Sequence, residues 1–255
     1  MEYTHLSSTV GIKTVSEDAR RGVFEIEGLY AGYGLTVGNA LRRGLLSSLP
    51  GAAITYVKIK GAPHEFTTLP GVKEDVVELT LNLKRIRFRM FADEPQTLLL
   101  KVKGEKTVTA ADIKADSQVE VINPEQVIAT LTDKNAELEI ELTVERGLGY
   151  SPIESRKAEK MTVGQIGIDA IFSPVLKVNY TVENMRVGDR TDYNRLRLEI
   201  ETDGTVSPSA ALHKTASAIR DHFEKIYALE VKEFEAPKAA VEEKPKKRMV
   251  RKSKS

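Results

Sequence analysis

The sequence predicts an α+β fold that is rich in antiparallel strands and contains three helical segments. Apolar and charged residues alternate with period two in Arg85–Met90 and Ala136–Glu145, which is typical of strands with one wet face. A glycine-rich loop, Gly28–Gly34, leads into an amphipathic segment that stops at Pro50, and apolar residues recur every three or four positions in Ser207–Leu229. The last two patterns predict helices.

Composition narrows the class of protein. The chain has 255 residues, 29% charged and 41% hydrophobic, with a net charge of +1. A chain of this length buries one sizeable core or two modest ones. It has no run of 18 apolar residues, so we expect no membrane-spanning helix. Its N-terminus lacks a secretory signal, which predicts a cytoplasmic protein.

The residues that usually carry catalysis or metals are scarce. Cysteine is absent, which excludes disulfides, thiolate nucleophiles and Cys-ligated metals. No two aspartates are two residues apart, as they often are in sites that hold two metals, and no two of the four histidines have His-x-x-x-His spacing. We therefore expect no catalytic residue, no metal ligand and no cofactor in this chain.

The loop before the first helix has the composition of a phosphate-binding loop but not its spacing. Gly32 and Gly34 are followed by Gly38, whereas the dinucleotide-binding motif needs its third glycine at Val37, and the P-loop needs Gly-Lys-Ser/Thr. Gly-Lys-Ser/Thr occurs nowhere in the chain. We interpret the loop as a tight connection between a strand and a helix.

On a helical wheel, the first helix has a broad apolar arc made by Leu35, Val37, Leu41, Leu45, Leu46 and Leu49. Arg42 falls inside the arc and is predicted to be structural, whereas Arg43 lies outside it and is available to a partner. The small residues Gly38, Gly44 and Ser48 lie on one flank, where another helix could approach. A helix docked on protein and a plain amphipathic helix with a snorkelling arginine both fit this pattern.

The remaining elements follow in order. Early strands contain Phe24 and Ile26, and a strand is predicted over Ile54–Lys60. A helix is predicted over Lys73–Lys84 after Pro70-Gly71. The alternating segments Leu176–Val182 and Leu196–Ile200 are predicted strands joined by a long turn.

Two of these segments have a distinct set of side chains on one side. The second helix would carry Val76, Val77, Thr80 and Leu81 on one side. The charged side of Arg85–Met90 is an arginine comb of Arg85, Arg87 and Arg89. The comb could meet phosphates or an acidic partner, although charge on a wet strand face is usually only solvated.

The last helix has the clearest limits. Ser207 is a good N-cap and Pro208 suits the first helical position. Its apolar residues are spaced almost as a heptad seam, at Leu212, Ala216, Ile219, Phe223, Ile226 and Leu229. The seam is too short for a stable isolated coiled coil. It therefore packs either on its own domain or across a two-fold axis.

The C-terminal residues 231–255 are predicted to be a disordered basic tail. Lys244–Ser255 contains seven basic residues and no acid, and the rest of the chain has 31 basic against 37 acidic residues. A basic nucleic-acid-binding body is therefore not indicated. A stand-alone nucleic-acid-binding module acting through the tail is one candidate function.

Several segments, in the same order, closely resemble the alpha subunit family of bacterial RNA polymerase. The matches include the helix signature YGLTVGNALRRGLLSSLPG and lie in the same order across roughly residues 20–230. The matching segments are Tyr33–Gly51, His64–Lys84, Thr109–Ile113, Ile122–Thr132, Glu145–Tyr150 and Asp169–Thr205.

The resemblance implies a division of the chain. A dimerisation subdomain, an antiparallel sheet with two interface helices, would comprise residues 1–50 and 175–230. An inserted β-rich subdomain that contacts the large subunits would comprise residues 51–174. The interface of the homodimer would include Leu35, Leu41, Leu45, Leu212, Ala216, Ile219, Phe223 and Ile226.

The resemblance also implies partners. The dimer would be the scaffold for the beta and beta-prime subunits, with omega and sigma joining the holoenzyme on the nucleoid. Nucleotidyl transfer would belong to the complex alone. Beta would contact Arg43 and Leu46, and beta-prime would contact Glu78, Lys84, Ile168 and Val175. Family members normally continue into a C-terminal DNA-binding domain, which is expected to be absent here, so promoter DNA is expected to be contacted only weakly or indirectly.

One residue departs from the family pattern. Gly44 stands where a large aliphatic side chain is more usual. Glycine inside a helix is expected to weaken it by up to about 1 kcal/mol relative to alanine.

Overall fold

The computed structural model describes residues 8–156 and 164–230. The strands are, in chain order, β1 (Gly11–Glu17), β2 (Arg21–Leu29), β3 (Pro50–Ile59), β4 (Phe88–Met90), β5 (Gln96–Lys103), β6 (Lys106–Thr109), β7 (Ile113–Lys114), β8 (Val119–Val121), β9 (Val127–Leu131), β10 (Glu137–Leu148), β11 (Tyr150–Ser151), β12 (Gln165–Gly167), β13 (Ala170–Ile171), β14 (Val175–Val187) and β15 (Arg190–Thr202). The helices are α1 (Tyr33–Ser47), α2 (Val76–Leu83), α3 (Ile153–Arg156) and α4 (Pro208–Tyr227). None of the helices within the described ranges is long and apolar enough to cross a membrane.

The first sheet has the order β1-β2-β15-β14, with every neighbouring pair antiparallel. The predicted alternation in β2 is confirmed, since Phe24 and Ile26 are buried while the residues between them are only partly buried. They pack with apolar side chains of β14 and β15, and with Leu41 and Leu45 of α1 and Leu212 of α4, in one buried cluster. This face of the first sheet therefore forms a core with α1 and α4.

The second sheet has the order β7-β5-β10-β3-β4-β8, and β12 adds to β3. The predicted strand Ala136–Glu145 is confirmed as β10, which extends to Leu148. Its inward residues are almost fully buried in a second, separate cluster that also contains the inner side of α2. Those β10 residues are Leu138, Ile140, Leu142 and Val144.

The helix predicted over Lys73–Lys84 is confirmed as α2, which is shorter and spans Val76–Leu83. The helix begins after Asp75, whose carboxylate accepts a hydrogen bond from the backbone N–H of Glu78. Val76, Leu79 and Leu83 are buried, whereas Val77 and Leu81 are exposed. Both sides of this short helix are apolar, so its periodicity alone could not select the buried side.

Two strand predictions were wrong in length. The comb segment is a strand only over Phe88–Met90, because the chain makes turns at Arg85 and Ile86 after α2. The long turn expected between the last strands is a two-residue hairpin turn at Gly188-Asp189. Polar residues occupy both sides of that hairpin near its tip, so alternation does not mark the strand ends there.

Glycines set how closely α1 approaches its neighbours. A Cβ added at Gly38 would lie 2.8 Å from the Tyr180 ring of β14, and one added at Gly44 would lie 2.6 Å from Thr215 Cγ2 of α4. The expected helix-to-helix approach on this flank therefore occurs at Gly44, while at Gly38 the neighbour is the sheet. Ser48, the third small residue, is exposed.

The last helix starts as predicted. The side chain of Ser207 accepts a hydrogen bond from the N–H of Ala210, and Pro208 occupies the first helical position. The first half of α4 packs on the first sheet and α1, and beyond Thr215 none of its described residues is buried. The predicted basic tail, residues 231–255, lies outside the described residues.

The contact at Gly44 reverses the expectation based on helix propensity. We expect Gly44→Ala to lower the free energy of unfolding by about 1–2 kcal/mol, because overpacking against the buried, β-branched Thr215 outweighs the propensity gain. Urea unfolding at a fixed protein concentration measures the change. The control is Gly11→Ala, where a Cβ meets nothing within 4 Å. A more stable Gly44→Ala protein would contradict this account.

Candidate interaction surfaces

The second half of α4 presents an apolar stripe, called here the α4 stripe, made of Ile219, Phe223 and Ile226. Spacings of four and three residues place these side chains on one side of the helix. Phe223 is 62% exposed and Ile226 is 65% exposed, while Ile219 is partly covered by α1. Large apolar side chains left together in water on an ordered helix are typical of a surface that another protein covers.

The structure divides the residues predicted for the dimer interface into two groups. Leu41, Leu45 and Leu212 belong to the core of their own chain, and Leu45 has no exposed surface at all. These three residues have little exposed area with which to contact a second copy. Their assignment as direct contacts is therefore corrected, and they support the interface from within the core of their own chain. Leu35, 61% exposed, and Ala216 remain on the surface. A helical wheel identifies apolar positions but does not distinguish the chain's own sheet from a partner.

Strand β1 adds an apolar surface that sequence reasoning missed. Ile12 stands opposite Ile26 of β2 in the antiparallel register, so both side chains project from the same face of the sheet. Ile26 is buried under the helices, whereas Ile12 is exposed at the sheet edge. The only signal in the sequence was a short apolar alternation, too weak to mark a surface.

On α1, the structure leaves both arginines of the signature exposed. Arg43 and Leu46 are three residues apart, are both exposed, and together form what we call the α1 surface. Arg42 is also exposed, and it lines an open cavity of about 530 Å³ beside Tyr180 and Arg197. Arg42, predicted to be structural from its place in the apolar arc, is therefore exposed, because the core takes up only the side of α1 near Leu41 and Leu45.

A second outward surface lies around α2, and we call it the α2 surface. It contains Glu78, Leu81, Lys84 and Tyr150, and the first three recur at intervals of three residues. The Lys84 ammonium lies 5.8 Å from the centre of the Tyr150 ring. The α2 surface therefore combines exposed apolar side chains with charges of both signs.

The Asp169 carboxylate links the α2 surface to the start of α3. Asp169 Oδ2 lies 3.2 Å from Lys84 Nζ, and Asp169 Oδ1 accepts a hydrogen bond of 3.0 Å from the N–H of Ile153. The Ile153 hydrogen bond is the largest influence on the Asp169 pKa, which lies below its usual value, and Lys84 lowers it further against the opposing effect of burial. The carboxylate is thus ionised in its structural role.

Two residues predicted to contact beta-prime do not reach this surface. Ile168 is 5% exposed in the second core and Val175 is 4% exposed in the first. Their assignment as direct contacts is corrected, since neither has side-chain area to offer a partner. Glu78 and Lys84 do lie together on the α2 surface.

The arginine comb lies where the two cores meet. Arg89 donates to the carbonyl oxygens of Thr205 at 3.2 Å and Gly204 at 3.3 Å, and it pairs with Glu120 at 3.0 Å. It therefore connects the second sheet to the turn that precedes α4. Among the described residues, no group of three or more histidine, aspartate or glutamate side chains could hold a metal ion.

Comparison with known proteins gives one consistent family. Residues 57–173 match the family model of the RNA polymerase Rpb3/RpoA insert domain. A DNA-directed RNA polymerase subunit alpha of Symbiobacterium thermophilum is 50% identical over 220 residues, which cover 86% of this chain and 70% of the relative. The subunit of Alkaliphilus oremlandii is 49% identical over 84% of this chain and 67% of the relative. That of a Roseiflexus species is 52% identical over 82% and 64%.

The Asp169 contact predicts a dependence of stability on pH. We expect Asp169→Asn to lower the free energy of unfolding by about 1 kcal/mol at pH 7, because a charged hydrogen-bond acceptor is lost. A depressed carboxylate pKa stabilises the folded state above the usual value of 3.8, and the effect is lost as the pH falls below it. The difference from the unaltered protein should therefore become smaller as the pH falls below 3.8, as measured by urea unfolding between pH 7 and pH 3.

The control for this measurement is Asp189→Asn in the exposed hairpin turn, for which we expect no change at any pH. A difference between the Asp169→Asn protein and the unaltered protein that stayed constant down to pH 3 would contradict a role for the charge.

Proposed function

The chain belongs to the family of DNA-directed RNA polymerase alpha subunits, and on that premise we propose that two copies form a homodimer on which the large beta and beta-prime subunits assemble. Nucleotidyl transfer is the activity of the assembled polymerase, to which omega and sigma also belong. The exposed α4 stripe is the observation that carries the proposal. Promoter DNA is reached through the other subunits, and the complex works in the cytoplasm on the nucleoid.

The second half of α4 supports the dimer because it lacks a core of its own. After Thr215 the helix continues for three more turns without a buried side chain among the described residues. An isolated stretch of that length is marginal in water. Packing against a second copy would bury Phe223 and Ile226, each worth about 1.5–3 kcal/mol when fully covered.

In a dimer with two-fold symmetry, each contact between the two copies occurs twice. In an isologous dimer the same patch occurs on both copies, so the α4 stripe of each chain meets the other's helices and sheet edge. The exposed Leu35 on α1 and Ile12 on β1 provide apolar area for this contact. Leu41, Leu45 and Leu212 hold the two helices on the sheet from beneath.

The α1 surface suits the beta subunit. Arg43 points away from the side of α1 that buries Leu41, and its guanidinium has no ion-pair partner within 4 Å in the described parts of the chain. An unpaired arginine beside the exposed Leu46 offers a partner a fork of donors together with apolar contact. Arginine is also among the side chains that most often dominate binding energy at interfaces.

The α2 surface suits the beta-prime subunit, through Glu78 and Lys84. Leu81 and Tyr150 add apolar area between and beside these charges. Ile168 and Val175 would then act only by shaping the cores behind the surface. Because the dimer is symmetric, both copies carry both surfaces, and the large subunits select which copy uses which.

The dimer predicts a specific response to a charge in the α4 stripe. We expect Phe223→Glu to convert the protein to monomers, because two carboxylates would enter an apolar interface without partners. Size-exclusion chromatography with light scattering at micromolar concentration separates one chain of 28.3 kDa from two. Phe66→Glu, at another exposed phenylalanine, is the matched control and should remain dimeric. A monomeric unaltered protein would refute the dimer.

The α1 surface predicts a separate loss. We expect Arg43→Ala to reduce capture of beta by at least about tenfold while the dimer persists, since truncating an interface arginine commonly costs more than 1 kcal/mol. Co-purification of tagged chain with beta measures capture, and light scattering checks the dimer. The control is Arg186→Ala in the β14–β15 hairpin. Normal polymerase yield from Arg43→Ala would contradict the assigned role.

A further inference from the structure

A cavity lined by three arginines lies between the two cores. Its volume is about 200 Å³. Arg20 enters it from the turn between β1 and β2, while Arg85 and Arg87 enter it from the comb segment of the second sheet. Three arginines, from the two parts of the chain that form the two cores, therefore line one space.

None of these three guanidinium groups has an ion-pair partner within 4 Å among residues 8–156 and 164–230. The two carboxylates that line the cavity are engaged elsewhere. Glu201 pairs with Arg21 at 3.2 Å. Asp203 accepts hydrogen bonds from the N–H and the hydroxyl of Thr205 at 2.9 and 2.6 Å. The lining therefore carries a formal excess of one positive charge, three arginines against two carboxylates.

The backbone around the cavity is held in place. Asn123 accepts a hydrogen bond of 2.8 Å from the N–H of Arg87 and donates one of 3.0 Å to the carbonyl of Arg85. On the other side, the carbonyl of Arg20 accepts a hydrogen bond of 2.7 Å from the N–H of Thr202. The three arginines therefore extend from ordered backbone, which lowers the entropic cost of gathering them around a ligand.

We infer that this cavity binds a small oxyanion of the phosphate class, such as phosphate or pyrophosphate. Guanidinium groups match the geometry of phosphate oxygens and form two hydrogen bonds at a time. A cavity of about 200 Å³ is smaller than the 300–1,000 Å³ typical of sites for drug-sized ligands, so it suits the phosphate group rather than a whole nucleotide. A bound anion contacts both cores and stabilises their contact beside Arg89.

Calorimetric titration of the full chain with pyrophosphate, at constant ionic strength in chloride, tests the inference. We expect saturable binding with one site per chain. Arg20→Gln and Arg87→Gln should each weaken it by at least about tenfold, the effect of losing a hydrogen bond to a charged group. Arg186→Gln, at an exposed arginine far along the sheet, should bind as the unaltered protein does. Without pyrophosphate, all three variants should unfold at the same temperature as the unaltered protein.

Two results would overturn the inference. One is the absence of saturable binding. The other is equal affinity in the cavity variants and the Arg186→Gln control, which would place the anion elsewhere, for instance on the basic residues Lys244–Ser255. A short DNA duplex that displaces pyrophosphate from the unaltered protein would identify a nucleic-acid phosphate as the source, and failure to displace it would identify a free anion. Both of these outcomes retain the site.

Discussion

The close approach of α1 to its neighbours is the contact on which the rest of the first core depends. Gly38 lets the helix rest on Tyr180 and Leu196, and Gly44 lets α4 cross it at Thr215. With side chains at those positions, α1 would move outward by a distance that the buried Leu41 and Leu45 could not follow without opening cavities. The position of α4, and hence the direction in which its exposed half projects, is set by this contact.

The exposed stripe of α4 then has a simple physical origin. The first half of the helix obtains its stability from the sheet and from α1, and this half nucleates the turns that follow, so the second half can remain helical while its apolar side chains face outward. Phe223 and Ile226, exposed on an ordered helix, are typical of a surface that another protein covers. The same arrangement explains why Leu212, early in the same apolar seam, is internal while Phe223 is not.

At the junction between the two cores, the three arginines of the comb differ in their partners. Arg89 satisfies two backbone carbonyls and one carboxylate there, and it needs no further ligand. Its neighbours in the comb, Arg85 and Arg87, have the same residue type, yet they line a cavity whose two carboxylates, Glu201 and Asp203, form no ion pair with them. The difference between a structural and a ligand-binding arginine therefore depends on which acceptors the fold brings near.

The sequence by itself determined the strand alternation of β2 and β10, the start of α4 at Ser207 and Pro208, and the family, because these depend on local periodicity, capping and motif order. Only the tertiary structure decided which apolar residues face inward. In the structure Leu45, Ile168 and Val175 are buried, and Arg42 is exposed. Packing also determines which side of α2 is buried and makes Gly44 necessary for the contact with α4. Each of these outcomes depends on packing against an element that is distant in the chain. The pattern of residues within one segment does not specify where that element lies.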